Sequence, residues 1–200
     1  MSESTFHYYS QHAQEFADAT LNVDMQPLYT PFLQALQDKP NSQQHILDAG
    51  CGSGRDALAF KKQGFQVSAM DACPDFVEIA SNLLNQPVQH ARFESFNHVA
   101  EFDGIWACAS LLHVEHRNLP SVMQNLEQAL KPKGVMYASF KHGQGERMHG
   151  ERHFSDLDEE GLAQLLEGLP SFAAIKVWVT EDRRPGRENE LWLNCLLRKD

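Results

Sequence analysis

Residues 45–60, HILDAGCGSGRDALAF, set Gly50, Gly52 and Gly54 at alternate positions between an apolar run and a stretch of helical spacing. Glycine lacks a Cβ, so it turns sharply and lets the backbone approach a ligand closely. Three alternate glycines weaken both helix and strand. The segment therefore reads as a strand-to-helix turn beneath a nucleoside-bearing ligand, with a tight turn that holds nothing as the plainer alternative. Such turns belong to open α/β sheets, where ligands lie beyond the carboxyl ends of the strands.

The rest of the chain suits that sheet. Apolar runs alternate with longer amphipathic stretches, the pattern of βα units. Strands are predicted over His45–Ala49, Gln66–Met70, Val88–Ala91, Phe102–Cys108 and Gly134–Phe140. A helix runs from Gly54 to Gly64, and Pro74 and Pro120 stand where two later helices begin. Ser155, followed by Asp158, is expected to cap a helix carrying Leu157, Leu162, Leu165 and Leu166. Phe172–Thr180 and Leu191–Leu197 form a terminal antiparallel pair across EDRRPGRENE. Before the glycine turn, Tyr8–Ala19 and Met25–Leu36 read as helices, the second capped by Asp24 with Pro27 in its first turn. They form a lid, residues 1–40, on one domain spanning 1–200, a length that a single core can serve.

Charge limits the partners. Lys and Arg number 17 against 27 Asp and Glu, a formal net charge of −10, which repels nucleic acid and anionic membranes. The longest apolar stretch, Ile105–Leu112, is too short to span a bilayer. The N-terminus has no basic, then apolar, secretory pattern. Cys51, Cys73, Cys108 and Cys195 are scattered, as reduced thiols are in a cytoplasmic protein. Monomer and dimer both remain open.

Two cofactor classes compete for the turn, because residues 52–57 also satisfy GxGxxA, the dinucleotide fingerprint. A dinucleotide would set its pyrophosphate on the turn and helix N-terminus. Asp48 and Asp56 are expected to place two carboxylates there and repel it. S-adenosylmethionine (SAM) has no phosphate, and its ammonium and sulfonium favour an acid at Asp48. Asp71, ending the second strand, suits the ribose hydroxyls of either cofactor, or simply caps the helix at Pro74.

LDAGCGSGRD, Asp71, FDGIWACASLLHV and LKPKGVMYASFK together resemble class I SAM-dependent methyltransferases over about residues 45–141. In wording they are similar to small bacterial enzymes of the tellurite-resistance and ubiquinone-methylase type. The resemblance implies a Rossmann-like, doubly wound sheet of seven strands, mostly parallel with the last antiparallel, under an N-terminal helical lid. It implies that SAM lies over Asp48, Gly50, Cys51, Gly52 and Gly54, and leaves as S-adenosylhomocysteine (SAH). Asp71 with Ala72 would hold the ribose, Phe93 and Glu94 would flank the adenine, and Ala107 would complete the set. Similar methylases often have Asp-Ala where this chain has Glu94-Ser95. Tyr8, Tyr9 and Phe16 sit on the segment that folds over the pocket in such enzymes. Tyr9 would offer an aromatic face to the sulfonium, or these rings simply pack an amphipathic helix.

Methyl transfer is an in-line displacement that needs alignment more than catalytic side chains. His113, just past the fourth strand, is the candidate base or acceptor-orienting group; packing against the next helix is its alternative. The pairs His113/His116 and His149/His153 have chelating spacing, but no acid or thiolate pattern accompanies them, and ten histidines make chance pairs common. No metal is expected. Lys141, Arg147, Arg152 and Arg184 are candidate acceptor contacts, with Arg183 and Arg187 nearby. Glu146, Glu151, Glu181, Asp182, Glu188 and Glu190 share the same segments, so a solvated mixed-charge rim competes with an anion clamp. ACASLLHV lacks the (Asp/Asn/Ser)-Pro-Pro-aromatic motif of exocyclic-amine nucleic acid methylases, and no Pro-Cys nucleophile for cytosine C5 chemistry occurs. The acceptor is thus expected to be a small molecule. An NAD-dependent oxidoreductase and a non-catalytic SAM-binding protein are the alternatives.

Overall fold

A computed structural model describes residues 2–36, 39–187 and 189–200; Glu188, counted among the rim acids, lies outside them. The glycine turn joins β1 (His45–Ala49) to α3 (Arg55–Lys62). β2 (Gln66–Asp71), α4 (Pro74–Leu84), β3 (Gln89–His90) and β4 (Phe102–Ala107) follow. Then come α5 (Leu119–Ala129), β5 (Leu130–Lys141), α6 (Glu159–Glu167), β8 (Phe172–Glu181) and β9 (Leu191–Lys199). The seven strands lie in the order β3-β2-β1-β4-β5-β9-β8. β1 pairs in parallel with β2 and β4, while β9 runs antiparallel between β5 and β8. The order reverses between β1 and β4, the switch point at which open α/β sheets bind ligands.

Helices cover both faces, so the central strands are buried on both sides; every residue of β4 is buried. On one face α2 (Gln26–Ala35) brings Leu28, Tyr29 and Phe32 against Ile46, Phe60, Trp106 and Tyr137. Trp106 and Tyr137 stack with centroids 3.9 Å apart. α3 and α4 continue this layer through Ala57 and Ala80 against Ala69. Leu119, Val122 and Leu126 of α5, with Leu162 of α6, close the other face over Leu47, Ile105 and Met136. The seven-stranded sheet and its antiparallel strand agree with the sequence expectation.

Several local expectations need correction. The segment after β5, in which no strand is predicted, is a hairpin of β6 (Gly145–His149) and β7 (Arg152–Asp156). Ser155 does not cap a helix. It is buried in β7 and donates to the Val114 carbonyl at 2.6 Å, while Asp158 caps α6 by accepting from the Gly161 N–H at 2.8 Å. The predicted third strand shrinks to two residues because the chain leaves the sheet after a short edge pairing with β2.

α1 (Glu3–Thr20) crosses above the sheet. Its Ser10 hydroxyl donates to Asp75 of α4 at 2.5 Å, and its Thr5 hydroxyl accepts from the His153 N–H of β7 at 2.8 Å. Asp24 does not cap α2 as expected: Met25 holds the cap position without a side-chain cap, and Asp24, one residue earlier, accepts from the Gln26 N–H at 3.0 Å. Among the described residues, no helix is long and apolar enough to cross a membrane.

Candidate functional site

Beyond the carboxyl ends of β1, β2, β4 and β5 lies a cavity of about 590 Å³, covered by α1 and by the β6–β7 hairpin. Small-molecule sites occupy roughly 300–1,000 Å³. The glycine turn forms its floor. The Gly50 and Cys51 N–H groups both bond the Met70 carbonyl at 2.9 Å, pulling the turn against β2. All three glycines have positive φ, but for different neighbours. A Cβ on Gly50 would meet Ser110 at 2.5 Å, and one on Gly54 would meet Ala80 at 3.0 Å. A Cβ on Gly52 would meet nothing within 4 Å, and Gly52 lines the cavity. Gly50 and Gly54 thus serve packing, whereas Gly52 opens onto space that a ligand can fill.

Asp71 organises the same floor. Its two oxygens accept from the Gly52 and Cys73 N–H groups, each at 2.8 Å. The bond to Cys73 is the local turn that leads into α4, and the bond to Gly52 ties β2 to the glycine turn. Burial pushes the carboxyl above its ordinary range, and backbone donors offset part of that. Ala72 and Phe93 line the cavity beside Asp71, as do Gly50 and Cys51. Glu94 is exposed, and Gly54, Glu94 and Ala107 stand outside the lining.

The two acids beside the turn do not behave as free charges, which corrects the electrostatic premise read from sequence. Asp48 lies behind the turn, outside the cavity lining, and accepts from the Ala57 N–H at 2.9 Å. Burial, reinforced by neighbouring Asp56, pushes its carboxyl well above the usual range and favours the neutral form. Asp56 lines the cavity but is clamped by Arg55 at 2.5 and 2.9 Å, by the Tyr29 hydroxyl at 2.5 Å and by the Trp106 indole at 2.8 Å. Burial alone would raise this carboxyl, yet the Arg55 charge and these donors hold it below its ordinary value. Arg55 cancels its charge. Its pairing was unread because adjacent residues rarely face each other on a helix.

Above the floor, one hydrogen-bond chain has a fixed direction. His113 Nδ1 lies 2.7 Å from the His153 carbonyl, which only accepts, so Nδ1 carries the proton. Nε2 is then an acceptor, and the Tyr9 hydroxyl, 2.8 Å away, donates to it. Burial of Tyr9 outweighs the positive charge of nearby Arg152, which favours the phenolate. Burial lowers the His113 pKa to about 4, keeping the ring neutral, and raises that of the Tyr9 phenol. The imidazole expected to act as a base therefore spends its free nitrogen on Tyr9. Tyr9 also packs against Phe16 and Phe76, as its packing reading expects, and its ring lines the cavity.

The four candidate cations all line the cavity but divide sharply. Lys141 pairs with Glu190 at 2.5 Å and Asp182 at 3.4 Å and lies over the Trp192 ring. Arg184 grips Asp182 with two bonds of 2.9 and 2.6 Å. Burial would raise the Asp182 carboxyl, but Arg184 and the Trp192 indole hold it below its ordinary range. Arg147 pairs with Asp156. Only Arg152, among these four, has no carboxylate within ion-pair distance among the described residues.

The histidine pairs do not converge. His116 offers its backbone N–H to Glu146, which also meets the His153 ring at 3.0 Å. Among the described residues no three His, Cys, Asp or Glu side chains gather around a point that would hold a metal. Ser110 and Ala109 had no sequence signal. Ser110 donates to the Ala49 carbonyl at 2.7 Å and presses against Gly50. Ala109 lines the cavity with φ of 52°, its N–H held by the Ser139 hydroxyl at 2.8 Å. Such strained backbone persists where surrounding bonds impose it, often at binding sites.

An open α/β sheet with a glycine turn at its switch point, an acid ending the neighbouring strand and a roofed cavity defines a nucleoside-cofactor protein. The chain belongs to the methyltransferase domain family, whose profile matches residues 21–168. It is 31% identical over 103 residues to the ubiquinone biosynthesis O-methyltransferase of Rickettsia bellii, covering 49% of this chain and 42% of that protein. The chain thus spans under half the length of the curated relatives first matched. Its fold is similar to a SAM-dependent methyltransferase of Methanosarcina mazei, with a TM-score of 0.72 and 19% identity over 88% of this chain and 99% of that one. It is also similar to the 1,6-didemethyltoxoflavin-N1-methyltransferase of Burkholderia thailandensis bound to 1,6-didemethyltoxoflavin and SAH. There the TM-score is 0.66 and the identity 22%, over 100% of this chain and 92% of that one.

Proposed function

We propose that this chain is a cytoplasmic SAM-dependent methyltransferase acting on a small-molecule acceptor. The observation that carries the reading is the open side of Gly52, in a turn that Asp71 ties to the end of β2. The floor has room for a nucleoside at the turn, and the remaining lone pairs of Asp71 suit ribose hydroxyls. Family membership and the small-molecule chemistries named for the Rickettsia and Burkholderia proteins support the same reading.

Gly50, Cys51 and Gly52 would support the cofactor's amino-acid end, Asp71 and Ala72 the ribose, and Phe93 the adenine. SAM supplies an activated methyl group on a sulfonium. The chain's own part is to bind, align and exclude water. Tyr9 brings an aromatic face and a directed hydroxyl into the cavity, and α1 roofs it. His113 acts through Tyr9 as a positioning residue, neutral at pH 7 and unable to swing away while the His153 carbonyl holds Nδ1.

Thermal unfolding with added ligands tests the reading. At 100 times its Kd a ligand adds about 2.7 kcal/mol, which for a chain this long raises Tm by roughly 5–10 °C. SAH is expected to produce that rise and NADH none. The reverse result would make the protein an oxidoreductase. SAH binding without turnover over a broad acceptor panel would favour a non-catalytic binding protein.

A further inference from the structure

We propose that Arg152 is the recognition residue for an anionic group on the methyl acceptor, and that this group is a carboxylate. The proposal rests on the methyltransferase reading and assigns the acceptor class for that site.

Lys141, Arg147 and Arg184 already carry the ion pairs described above, so an incoming anion would have to displace Glu190, Asp156 or Asp182. Arg152 is different. Its guanidinium lies between two aromatic rings, with Cζ 4.7 Å from the Tyr8 centroid and 5.3 Å from that of Phe154. Its Nε is buried without a hydrogen-bond partner. The π-faces offset part of the lost hydration, but an in-plane N–H needs an acceptor at the guanidinium edge. An unpartnered buried donor is costly, and more so on a charged group.

The surroundings leave that charge uncancelled. The nearest polar groups add no negative charge: Arg152 lies near Tyr9, whose hydroxyl donates to His113, and His113 is neutral. Arg152 is therefore a cation lining the cavity beside Tyr9, with no carboxylate at ion-pair distance among the described residues. A carboxylate matches it: planar, singly charged and able to take two parallel N–H bonds from one guanidinium. A phosphate dianion fits less well, because Asp156 and Asp182 already occupy the neighbouring cations. Phe154, which lines the cavity beside the guanidinium, suits an acceptor with an apolar or aromatic body.

The test pairs each acid with its neutral isostere. Binding of benzoate, 4-hydroxybenzoate and 3-phenylpropionate, and of their primary amides, is measured by calorimetry with and without SAH. Charge-assisted pairs contribute roughly 1.5–3 kcal/mol, so at least one acid is expected to bind about tenfold tighter than its amide. Arg152→Gln should reduce that preference to under about twofold while SAH binds as before. Arg152→Lys retains charge without the paired N–H geometry and should keep only part of the preference. Equal binding of acids and amides to the unaltered protein would overturn the proposal. An undiminished preference in either variant would overturn it too. Failure of SAH to bind the unaltered protein counts against the cofactor reading alone, because the acid-to-amide ratio is also measured without SAH.

Discussion

Three glycines that look equivalent in sequence do separate work, and substitution should tell them apart. Alanine at Gly52 meets only the left-handed backbone penalty, about 1–2 kcal/mol, because its methyl group enters open cavity. Gly52→Ala should fold and yet bind SAH more than about tenfold weaker, from the methyl group intruding on the ligand. Gly54→Ala adds a collision with Ala80 of α4 and should lose roughly 2–4 kcal/mol in chemical denaturation. Equal effects at the two sites would contradict this division. The glycine pattern and Asp71 were legible because each depends on local spacing. The charge premise was not: cancellation by Arg55 and the burial of Asp48 are properties of the folded environment. His113 gives a pH signature at the same scale. Its folded pKa, about 4, lies below the ordinary 6.5, so between those values the unfolded chain binds the extra proton. Stability from this group is therefore full above about pH 6.5 and falls as pH drops toward 4. The loss is roughly 3 kcal/mol at about 1.4 per unit. Denaturation midpoints of the unaltered protein and of His113→Asn, followed from pH 7 to 4, should diverge in slope by that amount; parallel curves would refute it.

Elements differed in how far their sequences disclosed them. The buried strands β1 and β4 are apolar runs legible to within a residue of their ends. By contrast, β5 is legible only from Gly134 although it begins at Leu130, because Lys131, Pro132 and Lys133 interrupt its apolar run. β6 is wholly exposed and, Met148 apart, carries no large apolar side chain, so no alternation marks it, while β7, its partner in the hairpin, buries Phe154 and Ser155. That hairpin also anchors the lid. α1 meets it through Thr5 and Tyr8, while Tyr9 bonds His113 and Ser10 holds the opposite side to α4. Few contacts of this kind hold a helix less firmly than a sheet, so α1 should open at lower free energy than β1 or β4. Thr5→Val leaves the His153 N–H unpaired at about 1–2 kcal/mol. Hydrogen exchange over α1 should then accelerate roughly tenfold while β1 and β4 keep their rates, and SAH should slow α1 in both proteins. Acceleration spread evenly over the sheet would mean that α1 is part of the core.

At the scale of the molecule, the two N-terminal helices raise the question of whether they unfold with the sheet or apart from it. α2 inserts Phe32 and Tyr29 into the cluster that contains Trp106 and Tyr137, and Tyr29 also clamps Asp56 beside the glycine turn. Withdrawing α2 would uncover that cluster and strip the turn's buried acid of a donor, so the sheet has no stable form without it. The lid is tied both to α4 and to the hairpin and adds no core of its own. We therefore expect residues 1–200 to act as one domain. Calorimetry should show a single transition with a calorimetric enthalpy of about 140 kcal/mol near 60 °C, from roughly 0.7 kcal/mol per residue, equal to the van't Hoff value. SAH should move that whole peak upward, because the proposed site is built from both the turn and the roof. Two peaks, only one of them sensitive to SAH, would show that the helices before β1 and the sheet fold as separate units.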